Sequence, residues 1–118
     1  MTDLVACLSN GEKSWIHVRR LIDEAEWKSI FLITDEHGKK NFSCDKKINF
    51  VTVDFKKPVF ELIGDINKGL KGKLTDFEAA LNIVSGTGKE HMAILSAVLK
   101  LGVGIRLMAV TKEGVKEL

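Results

Sequence analysis

Apolar residues along this chain come in two textures, short unbroken runs and amphipathic stretches, and the two alternate. Leu4-Val5-Ala6-Cys7-Leu8 is an unbroken run closed by Ser9-Asn10-Gly11, which predicts a strand buried on both faces and then a turn. From Glu12 to Ala25 the period changes: Trp15, Val18, Leu21, Ile22 and Ala25 share one side and Arg19, Arg20, Asp23 and Glu24 the other, so a helix is expected. Ser29 to Thr34, around Ile30-Phe31-Leu32-Ile33, predicts a second buried strand. Asp35 to Lys40 reads as a polar loop, and Ile48 to Phe55 as a third strand.

Lys57-Pro58 opens another helix, because a proline's missing N–H is no loss in a first turn. Val59, Leu62, Ile63, Ile66 and Leu70 supply its apolar face, and Gly72-Lys73 ends it. A fourth strand runs from about Ala79 to Val84, although Asp76 to Leu81 could begin helically. Lys89 to Leu101 is the clearest helix and stops at Gly102. Its broad apolar arc (Met92, Ile94, Leu95, Val98, Leu99, Leu101) fits burial against a sheet with tight neighbours, or against a sheet and a partner subunit. Ile105 to Val110 is a further strand, and a short edge strand is expected past Gly114.

Strands alternating with helices over short connections predict an α/β, Rossmann-like fold. It would have a mainly parallel central sheet of five to six strands flanked by helices on both faces. In open sheets of this kind ligands gather beyond the carboxyl ends of the strands. The turn at Ser9-Asn10-Gly11-Glu12-Lys13, the loop at Thr34-Asp35 and the segment Ser85 to Lys89 are therefore expected on one rim.

At 118 residues, 45% of them hydrophobic, the chain is sized for one domain, residues 1–118. A net charge of +2 argues against a surface built for long nucleic acid. Two cysteines without framework spacing imply no disulfide or zinc site and fit a reducing cytoplasm. No run approaches the roughly 18 apolar residues of a membrane span, and no signal-peptide pattern opens the chain.

The chemistry concentrates in Leu81-Asn82-Ile83-Val84-Ser85-Gly86-Thr87-Gly88-Lys89-Glu90-His91, where a strand breaks into a glycine turn and a helix follows. Glycines allow close backbone approach, the first helical N–H groups are unpaired, and the helix dipole favours an anion there. Walker A fails, since Ile83 stands five before Gly88 and Glu90 follows Lys89. The dinucleotide fingerprint fits Gly86 and Gly88 and fails at His91. The bland alternative is a strand-to-helix turn capped by Ser85 or Thr87.

This text, with Met92 in the helix and Gly104-Ile105-Arg106-Leu107 after it, resembles the CARF domains, the CRISPR-associated Rossmann folds, over about the last forty residues. The family's loop runs hydroxyl-Gly-Gly-Thr-Lys, whereas this chain exchanges the order as Ser85-Gly86-Thr87-Gly88-Lys89. The resemblance implies a homodimer binding a cyclic oligoadenylate across its two-fold axis, with Ser9, Asn10, Gly11, Thr34, Asp35, Ser85, Gly86, Thr87, Gly88 and Lys89 as ligand-binding candidates. It also raises a metal-independent ring nuclease, in which a ribose 2′-hydroxyl attacks the adjacent phosphate, Lys89 stabilises charge and Ser9 positions the substrate. His91 is a weaker acid–base candidate.

Each candidate has a local alternative. Ser9 and Asn10 also suit capping of the first helix, and Asp35 suits either a ribose hydroxyl or solvent. His17, His37 and His91 match no metal-ligand spacing, and no metal or other cofactor is implied. Trp15 and Trp27 are expected to pack around the first helix. Three functions follow: a sensor or sequestering module for a cyclic oligonucleotide or similar phosphorylated compound, a ring nuclease, and an assembly module without nucleotide.

Overall fold

A computed structural model describes residues 2–9 and 11–118. Among these residues six strands form one sheet in the order β3-β2-β1-β4-β5-β6: β1 Asp3–Cys7, β2 Ile30–Thr34, β3 Asn49–Thr52, β4 Glu78–Asn82, β5 Gly104–Thr111 and β6 Gly114–Glu117. The first five pair in parallel, with Leu4 opposite both Ile30 and Ala80, and only β5 and β6 are antiparallel. Four α-helices connect them: α1 Trp15–Asp23, α2 Glu36–Asn41, α3 Val59–Leu70 and α4 Gly88–Lys100. The chain is thus α/β with a mostly parallel, mixed sheet.

Alternate strand residues enter two separate apolar clusters, as the period of two demands. Val5, Cys7, Phe31, Ile33 and Leu81 pack with Leu62 and Ile66 of α3 and Ile94 and Val98 of α4. Leu4, Ala6, Leu8, Ile30 and Leu32 pack with Val18, Leu21 and Ile22 of α1 and with Phe42. Because every residue of β1 and β2 is buried, their sequences carry no polar alternation. Both tryptophans pack around α1 as expected, Trp15 Nε1 donating to the Ser9 carbonyl at 2.8 Å and Trp27 Nε1 to that of Leu21 at 3.0 Å.

Three expectations need correction. Glu36 to Asn41 is the helix α2 where a polar loop was expected. Asp35 caps it by accepting from Gly38 N at 2.9 Å, Glu36 sits in its first turn, and Lys39 and Lys40 sit in its last, so charges matched to the dipole replace an apolar face. The expected helix over Glu12 to Ala25 opens with a 3-10 turn, Glu12–Ser14, and its α-helical part stops at Asp23. The third strand ends at Thr52 rather than Phe55 because Asp54 turns the chain, its carboxylate accepting from Lys56 N at 2.9 Å. Among the described residues no helix is long and apolar enough to cross a membrane.

Candidate functional site

The chain leaves β1 for β2 on one side of the sheet and returns from β3 to β4 on the other. Winding therefore reverses between β1 and β4, where the two outgoing connections diverge and leave a crevice. The turn after β1 and the loop after β4 stand on either side of that point.

Serines join them. Ser9 N donates to Ser85 Oγ at 3.0 Å, and Ser85 Oγ lies 2.7 Å from Ser14 Oγ, which in turn lies 2.8 Å from the Gly11 carbonyl. A carbonyl only accepts, and each hydroxyl has one proton to give. The chain of donors consistent with both facts runs from Ser9 N–H to Ser85, from the Ser85 hydroxyl to Ser14, and from the Ser14 hydroxyl to Gly11. Gly11 makes the turn in the left-handed region, at φ 93°, with open space where a Cβ would stand. Asn10 lies outside the described residues.

The loop after β4 closes on itself in part. Thr87 caps α4 in a reciprocal box: its N–H donates to Glu90 Oε1 at 3.0 Å, and Glu90 N donates to Thr87 Oγ1 at 3.4 Å. His91 Nε2 lies 3.0 Å from the Ser85 carbonyl and so carries the proton of that contact. Gly86, at φ 114°, is packed by protein: a Cβ there would stand 2.8 Å from Cys7 Sγ, 2.9 Å from Glu90 Oε1 and 3.1 Å from His91 Nε2. Gly88 is the opposite case, with nothing within 4 Å of its missing Cβ. Among the described residues no acceptor meets the amides of Gly88 and Lys89.

Electrostatics are mixed here. The Lys89 ammonium donates to the Phe55 carbonyl at 2.9 Å, which offsets the unfavourable position of a cation at a helix start and leaves two of its N–H bonds for other partners. Glu90 brings a buried carboxylate into the same turn. Burial pushes the neighbouring Cys7 thiol far above its usual range, and the charge of Glu90 pushes it further, so this thiol is an inert packing group.

The rim thus brings together Ser9, Gly11, Ser85, Gly86, Thr87, Gly88 and Lys89. Thr34 is sealed beneath protein and Asp35 is anchored elsewhere. Thr34 is fully buried beneath α2, and its Oγ1 has no partner among the described residues. Gly38 covers it so closely that a Cβ there would meet that oxygen at 1.8 Å. Asp35 places one carboxylate oxygen, Oδ1, on the cap. Burial closes the Thr34 hydroxyl to a ligand, and the Asp35 carboxylate is anchored through Oδ1 at the start of α2.

Residues that local spacing did not reveal complete the picture. Ser14 belongs to the serine chain, and Phe55 brings the β3–α3 connection to α4. On the other side of β4, His17 Nε2 lies 3.2 Å from Asn82 Nδ2 and 3.5 Å from the Val110 amide, while Asn82 Nδ2 donates to the Met108 carbonyl at 2.8 Å. His17 accepts in this arrangement, and its pKa is lowered by burial and then by the nearby charge of Arg20. Contacts between residues this far apart in sequence leave no local periodicity; only the Thr87-x-x-Glu90 spacing was legible as a capping box.

No protein-family model matches this chain, and no curated protein matches it.

Proposed function

We propose that this chain is a Rossmann-like, CARF-type domain with helices on both faces of its sheet, which binds a cyclic oligoadenylate or a similar phosphorylated nucleotide across the two-fold axis of a cytoplasmic homodimer. The observation that carries the reading is the serine contact between the turns after β1 and β4, at the point where strand order reverses. Beside that contact Gly88 and Lys89 offer open amides at a helix N-terminus with one ammonium, donors suited to phosphate oxygens. A ring of repeated phosphates suits an isologous dimer, because each subunit presents the same loops to equivalent positions.

Sensing or sequestering is favoured over cleavage. Ser9 is buried, and its N–H is committed to Ser85. Lys89 has a carbonyl partner, and the His91 Nε2 proton is held by the Ser85 carbonyl. Among the described residues that leaves no acid–base pair poised at a common point.

The test is incubation with cyclic tri-, tetra- and hexa-adenylate in the presence of a chelator, following melting temperature and product together. One ring is expected to raise the melting temperature and remain intact. Absence of any shift with all three overturns ring binding. Chelator-resistant cleavage that is lost in Lys89→Ala replaces the sensor with a ring nuclease.

A further inference from the structure

Exposed apolar side chains are unevenly distributed over this molecule. Of the eight large hydrophobic residues exposed among the described ones, five (Val84, Met92, Leu99, Leu107 and Leu118, between 42% and 76% exposed) lie around α4 and β5. Their placement follows from the packing of α4. Asn67 Nδ2 of α3 donates to the Ala97 carbonyl at 3.1 Å, which sets α3 against the Ala93 and Ala97 side of that helix. At 3.6 residues per turn, Met92, Leu95 and Leu99 then occupy the flank away from α3.

Beyond that flank lies the outer strip of the sheet. Ile105 packs into the α3–α4 cluster, so Leu107 and Ala109, two and four residues on, face the same way. Leu118 is drawn alongside by its N–H bond to the Leu107 carbonyl at 2.8 Å. β6 joins β5 through a hairpin, so no crossover helix exists to cover this strip. A groove of about 160 Å³ runs through it, walled by Leu81, Ile83, Val84, Leu107, Ala109 and Leu118.

We infer that this corner of α4 and β5 is the surface on which a second copy of the chain docks. The first argument is area. Thirteen residues of helix give a face about 20 Å long, and one helix diameter plus two strand spacings make it about 20 Å wide. A corrugated surface of that footprint is on the order of the ~800 Å² that each partner of a standard dimer covers. Monomers seldom gather this many exposed large apolar side chains on one such face.

The second argument is continuity with the candidate site. Val84 directly precedes Ser85, and Met92 stands one helical turn after Gly88, so whatever covers the patch also walls the glycine loop. One copy offers that loop a single ammonium, already bonded to Phe55. A second copy would supply the charge and the enclosure that a polyanion needs. This second argument, and the choice of a two-fold axis parallel to β5, which sets both rims at the same end and Met92 near its own counterpart, rest on the ring-binding reading; the area argument does not.

Analytical ultracentrifugation at micromolar concentration tests the surface, with circular dichroism confirming that each variant is folded. The wild-type chain is expected to be a dimer. Leu99→Glu and Leu107→Glu, which place a charge on the patch, are expected to weaken it by at least ~100-fold. Phe60→Glu, at a still more exposed apolar residue elsewhere, is expected to leave it intact. Met92→Cys in a Cys44→Ser background is expected to link into covalent dimers with a short bifunctional thiol reagent.

A monomeric wild-type chain, or a dimer broken by Phe60→Glu and untouched by the two patch variants, overturns the proposal. Failure of Met92→Cys to link, with the patch variants still monomeric, overturns the axis direction and leaves the surface. A dimer that maps to this patch yet ignores every cyclic oligoadenylate supports the interface and removes the ligand reading; ring binding by a strict monomer overturns the interface and the two-fold site and keeps only the ligand class.

Discussion

The carboxyl ends of β2 and β4 look alike in sequence and differ in what their polar groups are free to do. Each strand leads into a hydroxyl, a glycine and a helix: Thr34, Gly38 and α2 at one, Ser85, Gly86, Gly88 and α4 at the other. At β2 the hydroxyl and the glycine are enclosed by protein. Asp35 caps, Thr34 is sealed, and Gly38 is glycine because Thr34 Oγ1 occupies the space of a side chain. At β4 the first glycine is equally enclosed, but Gly88 faces open space. The difference teaches that a glycine signals ligand approach only where the volume of its missing Cβ is left unfilled, which sequence spacing does not reveal.

The most disruptive way to break the comparison is to fill the enclosed positions. Gly38→Ala and Gly86→Ala are each expected to lower stability by about 2–4 kcal/mol in urea titrations, by overpacking at the first and by overpacking with a left-handed backbone at the second. Gly88→Ala sharpens the contrast: it is expected to change stability by less than about 1 kcal/mol while weakening cyclic oligoadenylate binding severalfold, read by calorimetry. If it proves as destabilising as Gly86→Ala, the two glycines are the same kind of position.

A second contrast sets cap against ligand. Thr87→Ala removes the box hydroxyl and is expected to cost about 1 kcal/mol of stability. Glu90→Gln keeps the shape and removes a buried negative charge beside the proposed phosphate position, so ring affinity is expected to rise. An unchanged or lower affinity would mean that the anion does not sit at this helix start.

The smallest effect concerns His17. Its pKa is lowered on folding, so the unfolded chain takes up the proton first as pH falls. The stability this residue contributes is complete above its ordinary value near 6.5 and declines as pH drops from there toward the folded value. Denaturation at pH 7.5 and 5.5 should show wild type losing slightly more stability than His17→Gln.

Much of the architecture was legible because both textures of apolar residues survive folding unchanged. The runs Leu4 to Leu8 and Ile30 to Ile33 became the buried strands β1 and β2, and the period of Trp15, Val18, Leu21 and Ile22 became α1. α2 was missed because a short helix held by a cap and matched charges needs no apolar stripe. At the rim, the glycine loop, Lys89 and the turn at Ser9 were legible from spacing. The enclosure of Thr34 and the carbonyl partner of Lys89 were not, since Gly38 covers the first from another element and Phe55 receives the second across the fold.

One feature of the sheet also bears on how the molecule assembles itself. Four of its five strand pairings join segments separated by long crossovers, and only β5 with β6, turned by Lys112 and Glu113, closes over neighbouring residues. Closing long loops before any contact rewards them slows folding, so the hairpin should form early and wait for the slower closure of the parallel pairings.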